Sequence, residues 1–160
     1  MEQRTRLTAR VVCLDASERV LLLRWRDPVD GTFLWEPPGG GIEAGESAFD
    51  AARRELVEET GLDPDAVGEH GITVQRDVRW KGVRFVGPEE YFLARFAADR
   101  PEVRGTALTD GERHDLQEYA WIPVTGFGLL DDPLQPPELA DVVRRLSAGQ
   151  DPRGQRQSGA

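Results

Sequence analysis

Lysine is almost missing from this 160-residue chain: Lys81 is the only one among 20 basic residues, so arginine carries nearly all the positive charge. Cysteine is as scarce. Cys13 alone is present, which excludes an intrachain disulfide and any zinc site built from several thiolates. It lies in an apolar run, so a buried place in the core is expected for it. No apolar stretch reaches the ~18 residues that a membrane-crossing helix needs, and Met1-Glu2-Gln3-Arg4-Thr5-Arg6 lacks the apolar core of an export signal. The expected compartment is the cytoplasm. Basic charge is also outweighed: 29 acidic residues leave a net charge of −9, which disfavours nucleic-acid polymers and anionic membranes as partners. Holding a small polyanion then calls for metal ions and a few placed arginines.

What is present is a globular composition, 39% hydrophobic and 31% charged, in a length that suits one domain with one core. That domain is expected over residues 1–147, with 148–160, rich in Gly, Gln, Ser and Arg, lacking order. The runs Leu7–Leu14 and Val20–Trp25, separated by the turn-like Asp15–Arg19, predict two paired strands. The unbroken Val20-Leu21-Leu22-Leu23 predicts cover on both faces of the second. Thr73–Trp80 and Tyr91–Ala97 predict two more strands, with Lys81-Gly82 as a turn and Gly87-Pro88 marking the entry to the latter. Glu118–Val124 predicts a last strand. Pro137–Ser147 predicts a short amphipathic helix with Leu139, Val142, Val143 and Leu146 on one side. The sum is an α+β fold, a mixed central sheet between helices in an α/β/α sandwich.

The middle of the chain carries the chemistry. Ser47–Thr60 contains no Gly or Pro and is rich in Ala, Glu and Arg, so it predicts a helix. Ser47 is placed to cap its start with Asp50 three residues on, Gly61 to close it in a left-handed turn, and Pro64 to prevent continuation. Glu55, Glu58 and Glu59 are related as i, i+3 and i+4 and share a face, while Phe49, Ala52 and Leu56 share an adjoining one that packs on a sheet. Clustered carboxylates repel and raise one another's pKa unless a cation sits among them. Hard oxygen ligands suit Mg²⁺ or Mn²⁺. Upstream, Trp35–Glu46 leads in as a glycine-rich loop whose backbone can approach a ligand closely.

Taken together, Gly40, five residues, Glu46, seven residues and Arg54-Glu55-Leu56-Val57-Glu58-Glu59-Thr60-Gly61-Leu62 fill every defining position of a known signature. The segment resembles the Nudix box, and the chain is identified as similar to the Nudix hydrolases. That resemblance implies the Nudix fold and metal-dependent hydrolysis of a nucleoside diphosphate linked to another moiety, releasing a nucleoside monophosphate. It implies a small-molecule partner and is compatible with a homodimer. It also implies that Glu55, Glu58 and Glu59, with the carbonyl of Gly39, hold Mg²⁺ or Mn²⁺, that Arg54 orients a catalytic glutamate, and that Gly40 and Gly41 border the substrate. In the family one of these glutamates, or one from a later loop, assists the attacking water. The long polar segment between Asp99 and Leu116 can deliver such a residue, and Glu112 is favoured over Glu118 and Glu89-Glu90. The alternative is a catalytically silent nucleotide sensor on the same fold. Such proteins commonly lose signature carboxylates, and none is missing here.

Substrate contacts outside the signature are less legible. Among arginines, Arg26 is preferred for substrate binding because it ends a strand facing the same loop; Arg24, Arg79 and Arg84 are further candidates. Trp80, Phe85 and Tyr91 lie where family members recognise the group attached to the diphosphate. Trp35 is read as an anchor of the glycine loop in the core. Glu46 has two open readings, a complement to the helix dipole or a functional residue. His114 is read as solvated.

Overall fold

Every residue of one strand, Thr8–Leu14, is buried, which requires neighbours on both edges and cover on both faces. The computed structural model, which describes residues 2–149, supplies both. The elements in chain order begin with β1 (Gln3–Thr5), β2 (Thr8–Leu14), β3 (Arg19–Arg26), β4 (Phe33–Glu36), β5 (Gly39–Gly41) and α1 (Ala48–Thr60). After a 3₁₀ turn at Pro64–Ala66 come β6 (Val67–Trp80), β7 (Val83–Arg95), α2 (Asp110–Asp115), β8 (Leu116–Pro123), a second 3₁₀ turn at Val124–Leu129 and α3 (Leu139–Gly149). The eight strands form one mixed sheet: β7 runs parallel to β2, while β3 and β5 run antiparallel to it.

Period-two alternation then sorts the side chains into two layers. Ala9, Val11 and Cys13 of β2, with Leu21, Leu23 and Trp25 of β3, meet Ala51, Ala52 and Leu56 of α1. Val12, Leu14, Val20 and Leu22 point the other way and meet Leu139, Val142, Val143 and Leu146 of α3. The expected sandwich is therefore present, with Cys13 a buried free thiol. Phe49 completes the α1 contact edge-on to Phe92, with ring centroids 5.8 Å apart. No described helix is long and apolar enough to cross a membrane.

Several boundaries differ from the expectations. Gly87-Pro88 is no strand entry but lies inside β7, which begins at Val83. The reason is local: β7 pairs with β1 up to Val86 and with β2 from Glu89, so Pro88 sits where one neighbour hands over to the next and its missing N–H is least costly. The glycine loop is partly strand. Gly39 lies so close to β2 that a Cβ there would come within 2.4 Å of the Ala9 carbonyl oxygen, so only glycine allows β5 to pair. The polar segment between Asp99 and Leu116 contains α2, whose Thr109 and Glu112 form a reciprocal capping box. The last helix includes Ala148 and Gly149, and the expectation of a tail without order otherwise falls on 150–160, outside the described residues.

Both ends of α1 are held as its sequence implies. Ser47 Oγ accepts from the Asp50 N–H at 3.0 Å, and Gly61, with φ of 70°, donates its N–H to the Val57 carbonyl. A Cβ on Gly61 would also lie 3.2 Å from the Arg104 carbonyl oxygen. Gly61→Ala is therefore expected to cost about 1–2 kcal/mol through the left-handed backbone it must keep. Urea unfolding at neutral pH checks this, and an unchanged midpoint would contradict it.

Candidate active site

Helix α1 carries Glu55, Glu58 and Glu59 toward its C-terminal end, where the dipole is negative, and has no basic residue in its last turn. Its exposed carbonyls recruit a second segment. Thr106 and Ala107 donate their N–H groups to Glu58 O, Arg104 N–H donates to Thr60 O, and Thr106 Oγ1 donates to Val57 O at 2.6 Å. The Tyr119 hydroxyl, from β8, donates to Glu59 O. Chain 104–107 is thus tied to the end of α1 and leads directly into α2. Helix-end satisfaction in this way brings Glu112 to the site.

The result is a trio. Glu55, Glu59 and Glu112 each present an oxygen within 4.8 Å of the others. Glu59 is buried, with its Oε1 accepting from the Gly39 N–H at 2.7 Å. Burial, and after it the Glu55 carboxylate, raise the Glu59 pKa well above the usual range, while the Gly39 N–H acts the other way. Glu55 is also raised, by burial first, against the pull of Arg54. Gly40 makes room for this arrangement, since a Cβ there would sit 2.5 Å from Glu55 Oε1. Three converging carboxylates, two of them driven toward neutrality by burial, fit a hard divalent cation.

Glu58 is placed elsewhere. Its Oε2 accepts from Arg54 Nη1 at 3.1 Å and its side chain is about one-third exposed, at 34%. Arg54 is a clamp of several contacts: Nε and Nη2 grip both oxygens of Glu46 at 2.8 and 3.0 Å, Nη1 donates to Glu55 at 3.0 Å, and Nη2 donates to the Gly41 carbonyl at 3.0 Å. Glu46 therefore acts through Arg54, which fixes Glu55. The Arg54 pairing holds the Glu46 carboxyl down to about 2, from an ordinary 4.5. A depressed acid stabilises the fold above its unfolded pKa, and that contribution fades as pH falls toward the folded one. Glu46→Gln is thus expected to be less stable than wild type at pH 7, with the gap closing between pH about 4.5 and about 2. Parallel urea titrations across that range check it; a pH-independent gap would contradict it.

Beside the trio lies a cavity of about 340 Å³, whose walls include Gly39, Gly40, Glu55, Glu59 and Glu112. Arg6, Arg10 and Arg76 line it too, as do Trp25, Trp80 and Phe85. Arg26, expected at the substrate, is exposed and points its guanidinium at Gly31 instead. Arg24 is engaged by Asp132 at 2.9 Å, Arg84 by Asp77, and Arg79 faces outward. Glu118 is 3.7 Å from Arg24, and Glu89 is buried against Thr8, Arg10 and Tyr91. Tyr91 and Trp35 are core residues, and His114 is exposed beside Asp115. Arg10 and Arg76 escaped sequence reasoning, yet both had a signal. Arg10 interrupts an otherwise uncharged buried strand. Arg76 shares the inward register Val74, Arg76, Val78, Trp80 of β6, whose alternate residues 73, 75, 77 and 79 are exposed.

Residues 4–146 match the family model of the NUDIX domain. An RNA pyrophosphohydrolase of Rhodopseudomonas palustris (strain BisB18) is 30% identical over 129 residues, covering 75% of this chain and 73% of that relative. In fold the chain is similar to the C. elegans Ap4A hydrolase in a binary complex, with a TM-score of 0.64 and 22% identity over 89% of this chain and 96% of that one. A NUDIX hydrolase from Nitrosomonas europaea gives a TM-score of 0.63 and 18% identity over 92% and 91% of the two chains. With the signature residues gathered as described, and the family matched from β1 to α3, the chain belongs to the NUDIX family.

Proposed function

We propose that the cavity holds Mg²⁺ or Mn²⁺ through Glu55 and Glu59, with Glu112 beside them as the base, and works on a diphosphate laid across it. The protein is a hydrolase of phosphoric anhydride bonds, acting on a nucleoside diphosphate linked to another group and releasing a nucleoside monophosphate. The observation that carries the assignment of the trio is the meeting of its three carboxylates, from two separate segments, at one end of a cavity also lined by guanidinium groups. When bound, such a cation neutralises phosphoryl oxygens and makes water a better nucleophile. Arg54 holds Glu55 in place, and the Gly39 N–H holds Glu59. Glu112 is the proton acceptor: one of its oxygens is anchored by the Thr109 N–H at 2.9 Å, leaving the other to take a proton from water. Trp80 and Phe85 offer apolar surface for the nucleoside base.

A second reading is favoured by the name of the curated relatives, RNA pyrophosphohydrolase, and makes the substrate a 5′-phosphorylated RNA end. The net charge of −9 and the paired state of Arg24 and Arg84 favour the small molecule over a polymer.

Incubation with Mg²⁺ and a panel of nucleotides and 5′-triphosphorylated RNA, with products followed by chromatography, tests the activity. Turnover of small diphosphates is expected; binding with no turnover would instead support a silent sensor. Glu59→Gln keeps the acceptor for Gly39 and should keep the fold, yet Glu59→Gln and Glu112→Gln are each expected to lose about 10²- to 10⁴-fold in turnover. Glu58→Gln, which loosens only the Arg54 clamp, is expected to lose less. Equal losses at Glu58 and Glu59 would move Glu58 into the trio.

A further inference from the structure

Of the three arginines in the wall of the same cavity, Arg6 is exposed, and the other two, Arg10 and Arg76, differ in their surroundings. Arg10 is fully engaged. Its Nε donates to Glu89 at 2.7 Å, its Nη1 donates to the Pro37 carbonyl at 2.9 Å, and its Nη2 lies 3.3 Å from Glu36. Arg76 has no hydrogen bond among the described residues, and its ion-pair contact is a long one, 3.7 Å to Glu89. Its side chain is only 10% exposed, and its Nε and Nη1 are buried with no hydrogen-bond partner among the described residues. The Glu89 oxygen 3.7 Å away already accepts from Arg10 Nε and Thr8 Oγ1.

A buried guanidinium without hydrogen bonds is costly to keep, and an apolar residue would fill the same register of β6 beside Val74 and Val78. The Phe85 ring holds the group in place, 5.4 Å from the guanidinium carbon, without supplying an acceptor. Trp25 Nε1, in the wall of the same cavity, is a second buried donor with no partner among the described residues. The unpartnered atoms in residues lining this cavity are the donors Trp25 Nε1 on β3 and Arg76 Nε and Nη1 on β6, with one acceptor, Glu36 Oε2 on β4, and the donors are the groups an oxyanion would complete.

We propose that Arg76, with Trp25 Nε1, is the anion grip of this cavity, taking the phosphoryl group of the diphosphate other than the one presented to Glu55, Glu59 and Glu112. This rests on reading the cavity as a diphosphate site. It divides the labour: the acidic trio and its cation act on the phosphorus under attack, and Arg76 sets the position of the rest of the substrate. Burial, together with the Arg10 guanidinium nearby, lowers the Arg76 pKa, and a bound phosphoryl dianion relieves that burden. The planar fork suits two oxygens of one phosphoryl group, which lysine cannot match.

The test uses the full chain with Mg²⁺ and the non-hydrolysable probe α,β-methylene-ADP, followed by tryptophan fluorescence and calorimetry, with adenosine as the phosphate-free control. Arg76→Gln is expected to weaken the probe about 10- to 100-fold, the range for hydrogen bonds to charged groups, and to leave adenosine binding unchanged. Arg76→Lys should fall between. Arg76→Lys, which keeps a positive charge beside Glu89, should melt near wild type, whereas Arg76→Gln gives up that charge and is compared with wild type well below its own melting temperature. Wild-type affinity for the probe in Arg76→Gln overturns the proposal, as does a lowered melting temperature with binding unchanged, which marks a structural role. Failure of the wild type to bind the probe also overturns it. Mg²⁺-dependent turnover of the nucleotide panel in that wild type would leave the hydrolase assignment standing, so the two readings fail separately.

Discussion

Acidic side chains collected at the negative end of a helix form an arrangement that the helix alone disfavours twice, through its dipole and through mutual repulsion. In α1 the rest of the site answers that constraint. The carbonyls at its end accept from Arg104, Thr106, Ala107 and Tyr119, and these donors come from the chain that carries α2 and from β8. Glu55 and Glu58 are countered by Arg54; Glu59 is countered by the Gly39 N–H and, at longer range, by Arg10. The charge left over faces the cavity, and it is the charge a divalent cation neutralises.

Arginine supplies the opposite half of the electrostatics, and burial separates its roles. Arg54 and Arg10 are structural cations whose hydrogen bonds stay within the protein, Arg54 aligning carboxylates and Arg10 binding β2 to Glu89 on β7 and to Pro37 beside the glycine strand. Arg24 and Arg84 serve ion pairs away from the cavity. Arg76 alone of these five has no hydrogen bond among the described residues. Substrate contact in such a protein is better sought among cations that lack partners than among those at strand ends.

The helix, its caps and the face that its carboxylates share were legible because their determinants are local. Ser47, Gly61 and the i, i+3, i+4 spacing act within one or two turns, and the structure keeps each of them. Glu112 was reachable for a weaker reason, the length and polarity of the segment that contains it. The Thr109-x-x-Glu112 capping box, also local, marks α2 and was available to be read. Short strands were not legible. β1 and β5 are each held by partners far along the chain, β4 pairs with the preceding β3 and is tied at Trp35 to the distant Leu134, and β5 exists because glycine can lie against Ala9, a contact no window of sequence displays. Arg26 is the converse case, placed by its strand end and then turned onto Gly31 by the loop that follows.

By itself the sequence determined the family, the helix and the chemical character of its acidic face, because periodicity, capping and composition act over neighbouring residues. Which acids converge was decided only by tertiary structure. Glu58 and Glu59 are adjacent in the chain, yet one lies on Arg54 and the other inside the cavity, because a helix turns 100° between them and the sheet and the 104–107 segment meet only one side. The third member of the trio comes from more than fifty residues away, and the open guanidinium from a strand outside the signature. Distances through space, set by packing, have no counterpart in spacing along the chain.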